Sequence, residues 1–362
     1  MGLKIAVVGG GSTYTPELVQ GFATREDRLP VDELVLFDID AERLGVVAGL
    51  AGRMLARAGW GGRLVQTGRR EQAVDGADFV VVQLRVGGQA MRMVDESLPL
   101  EFGCVGQETT GPGGFAKALR TVPVVLELAA ETVRRGAPGA WFVDFTNPVG
   151  IVTQALLDRG HRAIGLCNSA IGFQRRFAAQ LGVAPERVEL EHVGLNHLTW
   201  ERAVRVDGAD RLPELLERHG PELARDLGLP LELLRALGVV PSTYLRYYYA
   251  TAEVLDEQRR RPSRAEQVAE IERDLLELYR DPDLDTKPEL LEQRGGAFYS
   301  EAAAALIASL HAGVDAAVTG DRTVALKALL ANPLVREYRV AAPLLDALLQ
   351  ASRPYLPRFF PG

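Results

Sequence analysis

The sequence predicts an α/β protein: a Rossmann-like, doubly wound parallel sheet followed by a second, mixed and mostly helical α+β domain. Three observations predict it. Lys4 to Val8 is a short apolar, β-branched run that leads into Gly9-Gly10-Gly11 and then a helical stretch, the form of a buried parallel strand and its turn. The next such run, Glu33 to Phe37, ends at Asp38. Later apolar runs, Asp78 to Leu84, Trp141 to Phe145 and Ala163 to Leu166, alternate with helical stretches, which is the rhythm of βαβ units.

Taken in order, the first helix is expected to open with Thr15 as N-cap and Pro16 at its first position. Glycines let the backbone approach a pyrophosphate, and a helix N-terminus offers it unpaired N–H groups. Gly9, Gly11, Ser12 and Thr13 are therefore expected cofactor-binding positions, with Tyr14 standing where the usual fingerprint has a third Gly or Ala. Asp38 occupies the place of the acid that binds the ribose 2′-OH of NAD, and no Arg directly follows it to welcome a 2′-phosphate. NAD is expected over NADP.

Ala41 to Ala58 reads as an amphipathic helix and Arg63 to Thr67 as a short strand. The strand ending at Leu84 runs into Arg85-Val-Gly-Gly88, a second glycine turn at the edge where open α/β sheets bind ligands. Gly103 to Gly114 reads as a long glycine-rich connection, and Phe115 to Arg135 as a helix interrupted or bent near Pro123. Asn147 and Cys167-Asn168 end the last two strands of this pattern. Beyond them Arg187 to His192 and Leu198 to Val206 read as paired strands. From Pro213 the chain is mostly helical, with breaks near Gly228–Pro230, Pro241 and Pro282. The expected domains are 1–168 and 169–362.

Hydrophobic residues make up 47% of the 362-residue chain and charged residues 25%, an ordinary globular balance. A net charge of −7 without a long basic run argues against nucleic acid. No apolar run is long enough to span a membrane, and Cys104 and Cys167 make no disulfide framework. The expectation is a cytoplasmic enzyme-sized protein with a small-molecule substrate.

Cys167 and His197 each follow a strand-like segment and each neighbour an Asn. A thiolate and an imidazole suit Mn²⁺, Fe²⁺, Co²⁺ or Zn²⁺ with positions left open for substrate oxygens, whereas two ligands are too few for structural zinc. A buried cysteine with a hydrogen-bonded histidine fits the spacing as well, and His192 is a competing ligand. Tyr244, Tyr247, Tyr248 and Tyr249 cluster after Pro241, with Tyr244 and Tyr248 four apart. A tyrosine beside a metal or arginine can ionise and serve as a base.

An ordered series of segments resembles glycoside hydrolase family 4, the NAD- and metal-dependent glycosidases. It comprises Gly9-Gly-Gly-Ser-Thr-Tyr-Thr-Pro-Glu-Leu18, Arg85-Val-Gly-Gly88, Asp95-Glu96, Gly106-Gln-Glu-Thr-Thr-Gly-Pro-Gly-Gly114, Asp144-Phe-Thr-Asn-Pro148 and Gly165-Leu-Cys-Asn168. It continues with Gly194-Leu-Asn-His197, Tyr244-Leu-Arg-Tyr247 and Arg294-Gly-Gly-Ala-Phe-Tyr-Ser300. The family is an exception to the two-carboxylate scheme of glycoside hydrolysis. The resemblance implies oxidation of the sugar at C3 by NAD⁺, which acidifies the C2 proton, with a divalent metal, Mn²⁺ foremost, stabilising the enolate. A tyrosine base removes that proton, the C1 substituent leaves, water adds, and the hydride returns to C3.

By the same resemblance Cys167 and His197 are metal ligands, and Tyr244 is the base with Tyr248 as fallback. Arg85 joins the cofactor residues. Arg92, Asn168 and Arg264 face the sugar 6-phosphate, Asn147 holds sugar hydroxyls, and Glu108 orients water or hydroxyls at the metal. Cys-Asn at 167–168 resembles the 6-phospho-β-glucosidases, Cys-Asp the 6-phospho-α-glucosidases, so the implied substrate is a phosphorylated β-glucoside. A homodimer or homotetramer is implied too. Around 309–314 the chain is shorter than the family pattern by several dozen residues. Two rival expectations are a conventional hydroxy-acid dehydrogenase, which needs no metal, and a non-catalytic NAD-binding protein.

Overall fold

A computed structural model describes residues 2–294, and they divide into two units, 2–168 with 258–294, and 169–257. In the first, six parallel strands lie in the order β3-β2-β1-β4-β5-β6. They are β1 (Leu3–Val8), β2 (Val31–Phe37), β3 (Arg63–Thr67), β4 (Phe79–Val82), β5 (Trp141–Asp144) and β6 (Arg162–Gly165). β4 is buried throughout, as a strand covered on both faces must be. Ala6, Val35, Val80, Val82 and Phe142 pack with Leu128, Val152 and Leu156 of the covering helices. The order reverses between β1 and β4, which sets the ligand crevice at their carboxyl ends.

Helix Ala41–Ala58 forms where expected, with Asp40 accepting from the Arg43 N–H and Gly59 closing it at φ +69°. Two expectations are corrected. Tyr14, not Thr15, precedes the first helix, because the Thr15 hydroxyl turns back to the Gly10 carbonyl at 2.9 Å. The glycine-rich connection is shorter than read, since the next helix already starts at Gly111 and runs unbroken through Pro123 to Arg135. Pro112 sits in its first turn, where a missing N–H costs nothing.

In the unit 169–257, β7 (Val188–Leu195) and β8 (Leu198–Val206) form an antiparallel hairpin. The short β9 (Ala209–Asp210) and β10 (Val240–Pro241) both pair with β8. Phe173 and Phe177, stacked at 5.4 Å, pack with Val188, Leu190, Val204, Leu215, Leu223 and Val240. Most of the rest of this unit is helical, Leu212–Leu227 being its longest helix. The chain then returns to the first unit. Helix Arg264–Tyr279, opened by a Ser263/Glu266 capping box, packs on helices Ala41–Ala58 and Gly88–Glu101. The stretch 258–294 thus lies with residues expected to form the other domain. The shortfall read around 309–314 lies outside the described residues. No helix among the described residues is long and apolar enough to cross a membrane.

Candidate active site

The glycine turn is tight for reasons that can be measured. A Cβ on Gly9, which sits at φ +88°, would lie 2.6 Å from the Gln83 carbonyl oxygen. One on Gly10 would lie 2.8 Å from Leu36 Cβ, and one on Gly11 2.8 Å from Asp38 Oδ2. The Asp38 carboxylate accepts from the Gly11 N–H at 2.9 Å and the Asp40 N–H at 3.1 Å, and the next side chain, Ile39, is 90% exposed. An acid held at the end of β2 beside a bare apolar side chain suits a ribose and an adenine face.

Residues distant in sequence brace this turn. Tyr279 donates its hydroxyl to the Thr13 carbonyl at 2.8 Å. The Arg294 guanidinium donates to the Thr13 hydroxyl and lies 4.1 Å from the centre of the Tyr14 ring. Tyr14 in turn donates to the Arg294 carbonyl at 3.1 Å. Burial pushes the Tyr14 phenol up, against the pull of Arg294. Ser12 accepts from the Tyr14 N–H at 3.3 Å. Glu272 pairs with Arg294 and, at 3.2 Å, with Arg43.

A second cluster lies at the ends of β4 and β5. Glu108, 6% exposed, is ringed by three cations: Arg85, Lys117 at 2.6 Å and Arg92 at 3.2 Å. Burial pushes its carboxyl up, but the Lys117, Arg85 and Arg92 charges overcome this and hold it well below the usual range. Burial lowers Lys117 from 10.5 to about 8, in spite of Glu108. Arg92 also holds Glu96 at 2.7 Å, and Glu96 accepts from the Ala265 N–H. Arg85, Arg92 and Glu108, expected in three separate roles, therefore share one ion network. Asp144 at the end of β5 is fully buried, which raises its carboxyl well above normal. It accepts from the Thr146 N–H at 2.9 Å. The buried amide oxygen of Asn147 has no hydrogen-bond partner among the described residues, so the strand end presents an open acceptor. Cys167, half-buried, and Asn168 follow β6.

Arg264, the first residue of its helix, donates to the carbonyls of Gln293 and Arg294 at 3.1 and 2.9 Å and to Gln267. Sequence reasoning passed over Lys117, Glu272 and Arg43. Lys117 and Glu272 are charged residues inside helices, and only their burial distinguishes them.

In the unit 169–257, His197 closes the β7–β8 hairpin in the left-handed conformation, φ 62°, and is 5% exposed. Its ring stacks on Tyr244, with centroids 3.7 Å apart and planes 14° from parallel. Tyr244 lies in a short 3₁₀ turn whose cap, Ser242, accepts its N–H. Tyr248 is 75% exposed and packs edge-on against Tyr249, so Tyr244 and Tyr248, four apart in sequence, occupy different surroundings. His192 Nδ1 lies 2.8 Å from the buried Glu201, its partner across the hairpin. Burial raises the Glu201 carboxyl and the His192 hydrogen bond opposes it. No group of three or more His, Cys, Asp or Glu side chains placed to hold a metal occurs among the described residues.

Comparison with known proteins agrees with this architecture. The chain is 39% identical to a probable 6-phospho-beta-glucosidase of Bacillus subtilis, over 99% of this chain and 98% of that protein. A 6-phospho-beta-glucosidase of Escherichia coli is 39% identical over 85% of this chain and 72% of its own length. The crystal structure of the Thermotoga maritima 6-phospho-beta glucosidase with manganese, NAD⁺ and glucose-6-phosphate superposes with a TM-score of 0.79 at 30% identity, covering 98% of this chain and 99% of that one. The B. subtilis alignment runs over 435 positions, 73 more than the 362 residues of this chain, so at least that many fall opposite a gap here. The model of the family 4 glycosyl hydrolases matches residues 4–183 and that of their C-terminal domain residues 192–314; the chain belongs to family 4 of the glycosyl hydrolases.

Proposed function

We propose that the chain hydrolyses 6-phospho-β-glucosides with NAD and a divalent metal, Mn²⁺ being the ion in the related T. maritima structure. The near full-length similarity to a probable 6-phospho-beta-glucosidase carries this reading. NAD fits the residues present: three glycines have no room for a Cβ, and an acid stands at the end of β2. A metal fits the donor set as well. A thiolate and an imidazole are borderline-soft ligands that leave the other positions to water and sugar oxygens. Cys167 and His197 are the proposed ligands.

When bound, the nicotinamide accepts and returns a hydride at C3 while the metal polarises the sugar oxygens on C2 and C3. Tyr244 takes the C2 proton through its phenolic oxygen, its ring fixed by the stack on His197. Asn147 offers its open amide oxygen to a sugar hydroxyl. Arg92, Asn168 and Arg264 are assigned to the 6-phosphate, for which guanidinium forks are suited, and Glu108 to orienting hydroxyls. Gly9, Gly11, Ser12, Thr13, Asp38 and Arg85 are assigned to the cofactor. Asn168, rather than Asp, favours the β over the α anomer. A homodimer or homotetramer in the cytoplasm is part of the same proposal.

Turnover of an aryl 6-phospho-β-glucoside in D₂O, with and without NAD⁺ and Mn²⁺ under reducing conditions, tests it. A requirement for both, no net NADH and deuterium at C2 of the product are expected. Turnover without NAD⁺ overturns the route, and stoichiometric NADH release indicates a conventional dehydrogenase.

A further inference from the structure

Asp38 is not alone in judging the adenosine ribose. Arg43, in the first turn of helix Ala41–Ala58, donates from Nε to the Gly11 carbonyl at 2.7 Å. The point where a Gly11 Cβ would sit is 2.8 Å from Asp38 Oδ2 and 3.4 Å from Arg43 Cγ, so acid and guanidinium flank the same glycine. A guanidinium there is the group that accommodates the 2′-phosphate of NADP in dinucleotide folds. Here it is already committed. Its Nη2 lies 3.2 Å from Glu272 on helix Arg264–Tyr279, and Glu272, 5% exposed, also pairs with Arg294. Arg43 and Glu272 line a cleft of about 610 Å³, together with Gln89, Arg273, Glu277 and Arg280. Space is therefore available beside Arg43, but the three arginines of the cleft stand against three acids, Glu272, Asp274 and Glu277, and leave a phosphate no surplus positive charge.

We propose that Glu272 is a cofactor-specificity residue, which withholds Arg43 from a 2′-phosphate and so enforces NAD over NADP together with Asp38. Burial pushes the Glu272 carboxyl up, but Arg294 and Arg43 more than offset this, so it stays ionised and keeps its hold at neutral pH. The inference rests on the assignment of the glycine turn to NAD.

Its test is binding, read by titration calorimetry with NAD⁺ and NADP⁺ on the full chain. Wild type binds NAD⁺ more tightly than NADP⁺. Glu272→Gln improves NADP⁺ relative to NAD⁺ by about tenfold or more, the worth of one charge-assisted hydrogen bond, and Glu272→Gln/Arg43→Met loses that gain. An unchanged NAD⁺ to NADP⁺ ratio in Glu272→Gln overturns the role of Glu272, as does a gain that survives in the double variant. Arg43→Met tests the claim from the other side and leaves Glu272 its pair with Arg294. Discrimination against NADP⁺ rises there, and an equal or smaller value overturns the proposal. A wild type that binds neither nucleotide instead removes the NAD assignment itself.

Discussion

Lys117 makes an unusual stability prediction. It is 2% exposed and sits 2.6 Å from Glu108, an arrangement that invites the conclusion that its removal is ruinous. The charges argue otherwise. Its folded-state value is about 8 against 10.5 in the unfolded chain, so folding disfavours the charged amine. Below pH 8 both states carry the proton and the penalty is complete. Between about 8 and 10.5 the unfolded state holds the proton and the folded state releases it, so stability rises with pH through that window. At 1.36 kcal/mol per unit the relief amounts to about 2–3 kcal/mol between pH 7 and 10. Lys117→Met has similar length and no charge, and leaves Glu108 with Arg85 and Arg92. At pH 7 the variant is expected to be the more stable of the two, because the lowered Lys117 value already includes the attraction of Glu108 and removing the charge removes the net penalty. Urea melts of both proteins at pH 7, 8, 9 and 10 give the difference curve, from which every other titrating group cancels. The wild type should gain about 2–3 kcal/mol on the variant across the range. A flat difference would refute the reasoning.

Two further outcomes follow from the site geometry. Gly10→Ala places a methyl 2.8 Å from Leu36 Cβ and 3.0 Å from the Phe37 nitrogen, which costs about 1–3 kcal/mol of stability by overpacking and weakens NAD⁺ binding; urea midpoints and calorimetry would register both, and a wild-type midpoint would contradict the close fit. Tyr244→Phe keeps the ring on His197 but removes the proton acceptor, so the melting temperature holds while turnover and deuterium uptake at C2 fall by about 10²–10⁴-fold. Undiminished deuterium uptake would dismiss Tyr244 as the base.

The parts of the fold legible in the sequence are those that local physics dictates. β1 and its three glycines are read correctly because strand burial and close backbone approach are written in consecutive residues. The Gly111 helix start is missed because glycine lowers helix propensity, while the reason for glycine there is non-local: Gly113 lies against the carbonyls of Asp95 and Gln107, and Gly114 against Thr109. Helix Arg264–Tyr279 is itself marked by Ser263 and Glu266. Its amphipathic pattern says which face is buried but not against what, so its return to the first unit stays hidden. Lys117 and Glu272 are invisible for the same reason, since each owes its environment to partners such as Arg85 and Arg294 at distant positions. His197 and Tyr244 lie 47 residues apart, and only the turn geometry of Ser242 against Thr199 brings their rings together.

That distribution also bears on the 73 or more positions missing relative to the B. subtilis relative. Every residue assigned above to cofactor, metal, phosphate or proton transfer lies between Gly9 and Glu272, and among the described residues the braces on the glycine turn come from Glu272, Tyr279 and Arg294. The glycine turn draws its support from Tyr279, Glu272 and Arg294, and the Glu108 cluster from Arg85, Arg92 and Lys117. Tyr244 takes its orientation from His197 and Ser242. Each group is thus held by partners within the described residues, and the match to the family's C-terminal domain itself runs on to residue 314. The partners named here for these side chains all lie at or before Arg294. If the missing positions fall around 309–314, as the family resemblance implies, NAD⁺ binding is expected to persist while glycoside preference changes, and a chain that binds no NAD⁺ in calorimetry would refute that expectation.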